Sequence, residues 1–95
     1  MTTIISKSDL QDILTYDPET GVFVSKVNRG RITIGAVVGT RRKDGYVKIV
    51  IKNRQYYAHR LAWLYSYGDY PAVIKHIDGK RFNNRLTNLK LIRSI

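Results

Sequence analysis

The side chains of this chain best able to move a proton near neutral pH are its two histidines, His59 and His76. His76 stands two residues before an Asp78-Gly79 turn signal and is followed by Asn83, Asn84 and Asn88, so a run of about a dozen residues gathers an imidazole and three carboxamides. A neutral imidazole serves as a base at pH 7 if another group holds its second ring nitrogen, and a carboxamide is suited to that task. Carboxamide oxygens are weak metal ligands when no carboxylate accompanies them. There is no Cys, which excludes disulfides, thiolate nucleophiles and Cys-ligated zinc together.

Charge narrows the partner. The chain carries 17 Lys and Arg against 7 Asp and Glu, a net of +10. Residues 1–20 hold Lys7 against Asp9, Asp12, Asp17 and Glu19, a net of −3, which leaves +13 on residues 21–95. A body this cationic makes phosphate polyanions, nucleic acid above all, the leading partner, the alternative being a well-solvated surface. Arg41, Arg42 and Lys43 form the densest cationic stretch, and Lys80, Arg81 and Arg85 flank the His76 region. These six are the candidate phosphate contacts, as point charges and guanidinium forks.

The elements that must position these groups read as an α+β domain. Ninety-five residues at 43% apolar suit one domain, residues 1–95, burying roughly 60–65% of its unfolded surface. Ser6 or Ser8 caps a two-turn helix carrying Leu10, Ile13 and Leu14. Tyr16 to Gly21 is dense in turn formers, and Val22 to Val27 reads as a strand. Ile32 to Val38 predicts a short irregular strand, and Lys43-Asp44-Gly45 signals a hairpin into a strand over Tyr46–Ile51. A turn at Lys52–Gln55 and a return strand Tyr56–His59 complete an antiparallel meander, so that residues 1–58 form helix plus meander. Over 59–95, Leu61, Trp63, Leu64 and Tyr65 mark a helix ending at Gly68. Val73-Ile74 then enters a hairpin turning at Asp78-Gly79, and Asn84 to Leu91 predicts a final short helix with Asn83 as its cap. No signal-peptide run and no stretch of ~20 apolar residues is present, so a cytoplasmic protein with no membrane segment is expected.

The segment Lys75-His76-Ile77-Asp78-Gly79, followed by Asn83-Asn84-Arg85-Leu86-Thr87-Asn88-Leu89, resembles the HNH endonuclease family in its small phage and homing-type branch. Tyr16 to Phe23, Lys43 to Tyr46 and His59 to Tyr65 look like the same proteins, so the likeness extends over nearly the whole chain. The resemblance implies a C-terminal ββα-metal unit and a site for Mg²⁺ or Mn²⁺. It also implies DNA as substrate, a bacterial or phage-infected cell as setting, His76 as general base, Asn84 as the amide that orients it, and Asn88 as a metal ligand. His59 is read as structural support beneath His76. One position departs: Lys75 stands where the family places its metal-binding Asp.

That exchange of −1 for +1 at about 4 Å from a divalent ion turns attraction into repulsion worth several kcal/mol even at an effective dielectric near 20. Three functions therefore compete. The first is an HNH-type nicking endonuclease whose metal-dependent cleavage is impaired by Lys75. The second is a non-catalytic phage protein of HNH fold that binds and inhibits a host defence protein or nuclease. The third is a basic nucleic-acid-binding module without any cofactor. Asp78 offers a substitute carboxylate, although the Asp-Gly turn already accounts for it. Oligomeric state and any protein target are open at this point.

Overall fold

The computed structural model describes residues 4–71 and 73–92. Helix α1, Lys7–Ile13, begins where the Ser6 hydroxyl accepts the Asp9 N–H at 3.1 Å. It ends at once in strand β1, Leu14–Asp17, so Leu14 is a strand residue and not the helix position its spacing suggests. Leu10 and Leu14 are both fully buried, one from each element. Strand β2, Val22–Ser25, returns antiparallel to β1 around the Pro18–Gly21 turn, placing Tyr16 opposite Phe23 on the inner face. The next strand, β3, is only Val37–Val38; Ile32 makes an isolated bridge with Arg29 in place of the longer strand expected.

At Gly39 the chain leaves this first sheet with φ of 119°, a conformation that side chains disfavour, and enters a second. Strands β4, Thr40–Arg41, β5, Val47–Ile51, and β6, Arg54–Tyr57, form that sheet in sequential antiparallel order. The β5–β6 turn is tighter than expected: Lys52 and Asn53 alone make it, both with positive φ, while Arg54 and Gln55 already pair with β5.

Helix α2, Ala58–Tyr67, follows without a linker and stops at Gly68, whose left-handed backbone lets its N–H reach the Leu64 carbonyl. It packs against α1 and against β5 and β6, burying Ala58, Leu61, Ala62 and Leu64. Each of the two leucines is worth ~1.5–3 kcal/mol on burial, and together they hold α2, and with it His59, against the sheet. Strands β7, Ile74–His76, and β8, Leu89–Leu91, pair antiparallel as a separate two-stranded sheet.

The class is α+β. The C-terminal unit differs from expectation in one respect: between Asn84 and Leu91 there is a single 3₁₀ turn, Leu86–Asn88, and then β8. Leu89 and Leu91 alternate with Lys90, and pairing with Ile74 and His76 on β7 outweighs the weak helical spacing of Leu86 and Leu89. Packing of the unit rests on Ile74 and Leu89, each 6% exposed, with Leu86 partly buried; Ile77 points outward.

Candidate functional site

Strand β7 alternates buried, exposed, buried, so its outer residue Lys75 and its inner residues Ile74 and His76 leave opposite faces. The His76 ring is buried, and its Nε2–H donates to the Asn84 Oδ1 at 2.9 Å. An amide oxygen only accepts, so this pairing puts the imidazole proton on Nε2 and leaves Nδ1 with the lone pair. The imidazole–amide pair is therefore present as a hydrogen bond.

Asn84 is itself held from the N-terminal half of the chain. The Tyr16 hydroxyl donates to the Asn84 carbonyl, and the Leu86 N–H donates to the Pro18 carbonyl at 3.0 Å. Gly21 lies so close beneath that a Cβ there would come within 2.4 Å of the Asn84 carbonyl carbon. Burial, above all, pushes the Tyr16 phenol up, so it stays protonated and able to donate. Neither Tyr16 nor Gly21 was marked by composition as more than part of a turn; their role depends on a tertiary contact.

His59 is the second residue of α2 and not the end of a strand. Its ring stacks on Tyr46 at 5.2 Å between centroids and sits 4.9 Å from the His76 ring. Tyr57 and Tyr46 complete an aromatic box about the two imidazoles. Desolvation in that box, then the neighbouring His76 and Arg60, hold His59 down at about 4, so it is neutral at pH 7. Its Nδ1 is buried with no hydrogen-bond partner.

The cations converge on the same region. The turn after β4 carries exposed Arg42 and Lys43, and it meets the loop after Gly79 through Arg81, whose Nη1–H donates to the Asp44 carbonyl at 3.0 Å. Arg81 also lies over the Tyr46 ring, and Arg41 lies over Phe82 at 4.0 Å. Arg42 is partly neutralised by Asp44 at 3.4 Å, whereas Lys80 and Arg85 are exposed beside Phe82 and Asn83. Sequence order alone separates these two groups by some forty residues; the fold joins them. Phe82 was not singled out from sequence, and its signal was an aromatic set between cations.

Asn88, the carboxamide expected at a metal, is engaged elsewhere. Asn88 Oδ1 accepts the Asp78 N–H at 3.0 Å, and its Nδ2 donates to Asp78 Oδ1 and to the Asn83 carbonyl. Two backbone groups of opposite polarity thus fix which way the amide points. Asn83 is not a helix cap: its Nδ2 donates to Asp78 Oδ2 at 2.8 Å. Asp78, held down at about 2 by hydrogen bonds from the Asn83 side chain and the Lys80 backbone, is a loop staple.

These donors do not fit a divalent ion. Lys75 pairs across the sheet with Lys90, two ammonium groups directly opposite on the exposed face. Among the described residues no three His, Asp or Glu side chains group as ligands. No helix there is long and apolar enough to cross a membrane.

Residues 56–93 match the family described as HNH endonuclease, a stretch running from β6 past β8 that holds His59, His76, Asn84 and Asn88. Tyr16, Gly21, Arg41 and Tyr46 lie outside it. No curated protein and no solved structure matches the chain.

Proposed function

We infer that this chain, an HNH endonuclease protein by its segment 56–93, binds DNA through the cationic face around His76 and has impaired metal-dependent phosphodiester cleavage. One observation carries the reading. The His76–Asn84 pair is intact, Asn84 and Arg41 line one cleft, Lys80 and Arg85 line the adjoining cleft, and Arg81 lies over the Tyr46 ring that neighbours His76, while Lys75, paired with Lys90, stands where the family places its carboxylate. The first half supports affinity for a polyanion; the second opposes a divalent cation.

His76 supplies a ring nitrogen able to accept a proton from water, and Asn84 keeps the other nitrogen protonated. What the site lacks is a group to lower the pKa of that water and offset charge on the phosphorane. Lysine or arginine offsets charge as a fixed cation but does not acidify water as a divalent ion does.

Plasmid nicking with Mg²⁺, Mn²⁺ or EDTA tests the reading. The wild-type chain is expected to nick little or not at all, and Lys75→Asp to show a measurable gain that EDTA abolishes. That gain is small, since position 75 leaves the strand on the face opposite His76 and Asn88 must release the Asp78 N–H to offer an oxygen. Robust wild-type cleavage with Mg²⁺, unchanged in Lys75→Ala, would overturn it.

A further inference from the structure

Two clefts share a wall beside Asn84. The first, about 220 Å³, is mainly apolar, lined by Val22, Val37, Val38, Ile49 and Phe82, with Asn84 also in its wall. The second, about 300 Å³, is polar and cationic, lined by Thr20, Lys80, Phe82, Asn83 and Arg85. Phe82 and Thr20 belong to both. Among the described residues no acidic one lines either cleft.

Phe82 is 42% exposed and Val37 is 70% exposed, so an apolar mouth opens on a strongly cationic surface. The Arg41 guanidinium lies 4.0 Å from the Phe82 ring centroid and fixes the ring in place, and Arg41 itself lines the apolar cleft. The volume of the first cleft falls below the ~300–1,000 Å³ of sites for drug-sized molecules, which suits one planar ring system. An apolar slot with an aromatic and a guanidinium at its rim, next to a cationic slot, matches a base joined to a phosphate. A lipid tail or an apolar peptide would leave Lys80 and Arg85 unanswered.

We propose that Phe82 divides a nucleotide-binding site in which an unpaired nucleobase of DNA enters the apolar cleft and its phosphate lies against Lys80 and Arg85. This rests on the DNA-binding reading above and adds to it a preference for unpaired over fully paired DNA. Bases stack on aromatic rings with little regard to sequence, so the preference is for an extrahelical base, not for a motif.

Fluorescence anisotropy with a duplex, the same duplex carrying one bulged nucleotide, and free dAMP as competitor tests it. The bulged duplex is expected to bind more tightly than the plain one. Phe82→Ala should weaken the bulged duplex by about tenfold and the plain duplex much less, so that the preference is lost; Phe82→Trp should retain the preference. Because Phe82 is half exposed, its truncation removes little buried area, and circular dichroism verifies folding. Val37→Phe fills the mouth from an exposed position and should remove the preference without touching Phe82. Equal binding of the two duplexes, or a Phe82→Ala variant with its preference intact, would overturn the site and leave DNA binding standing. Competition by dAMP at oligonucleotide-like concentration would overturn the assignment to DNA in favour of a free nucleotide. Absence of binding to any DNA would remove the functional reading together with this site.

Discussion

His59 gives the chain a stability that depends on pH. An unfolded chain protonates this side chain near its ordinary value of 6.5, whereas the folded protein resists until about 4. Between those values the unfolded state binds the extra proton, so stability is intact above about 6.5 and is lost as pH falls toward 4. The groups facing the ring are His76, Arg60, Tyr46 and Tyr57, none of them an acid that would favour the imidazolium. Asp78 does not confuse the window, since its carboxyl titrates near 2 and its contribution is lost only below about 3.8. Melting temperature measured in steps from pH 7 to pH 4.5 should therefore fall. His59→Phe should flatten that fall without lowering the value at pH 7, because the phenyl ring keeps the stack on Tyr46 and removes a buried nitrogen that has no partner. A wild-type melting temperature constant across the range would sink the assignment.

Among the elements, the β1–β2 hairpin matters most to the site, though it lies outside the family match. Its turn pins the Asn84 loop by the Tyr16 hydroxyl, the Pro18 carbonyl and the bare Cα of Gly21. Gly21→Ala should then do two things at once. It forces a side chain to φ of 78°, about 1–2 kcal/mol of backbone cost, and drives a methyl into the Asn84 carbonyl carbon. The expected outcome is a melting temperature several degrees lower and a displaced His76 ring signal in NMR spectra; Gly79→Ala, with a similar φ but open space around it, should lower stability and, through the Gly79 N–H on the His76 carbonyl, move that signal less. If both variants shift His76 alike, the hairpin is not what holds Asn84. The turn itself was legible, since Asp-Pro-Glu-Thr-Gly has turn chemistry written into it. Its target was not, because no local pattern says which distant loop a glycine will touch. The same distinction explains the other departures. The His76–Asn84 pair was readable from spacing and resemblance, whereas the commitment of Asn88 and Asn83 to Asp78 follows from a loop conformation. Leu86 and Leu89 fit a helix by spacing, and only the presence of β7 alongside turns Leu89–Leu91 into a strand.

At the scale of the molecule, charge separates from structure along the chain. The −3 of residues 1–20 sits on α1, β1 and their turn, and the +13 on everything after. A molecule with a long axis of 41 Å spans about one turn of duplex, but Lys80 and Arg85 line one cleft, Arg41 lies over Phe82 in its wall, and Arg81 bonds the Asp44 carbonyl in the turn that carries Lys43. Contact with about four to six phosphates follows, and log K for duplex DNA should fall against log salt with a slope of roughly −4 to −5. Individual charges should not count equally. Arg41→Gln and Lys43→Gln should each reduce the slope by about 1, whereas Arg42→Gln should reduce it less, since Asp44 already faces that guanidinium at 3.4 Å. Such a slope is a property of phosphate neutralisation and is indifferent to cleavage, so it is to be measured in EDTA. Affinity that stays flat from low to physiological salt, or that Arg41→Gln and Lys43→Gln leave untouched, would detach the cationic face from DNA and turn the +13 toward an acidic protein surface instead.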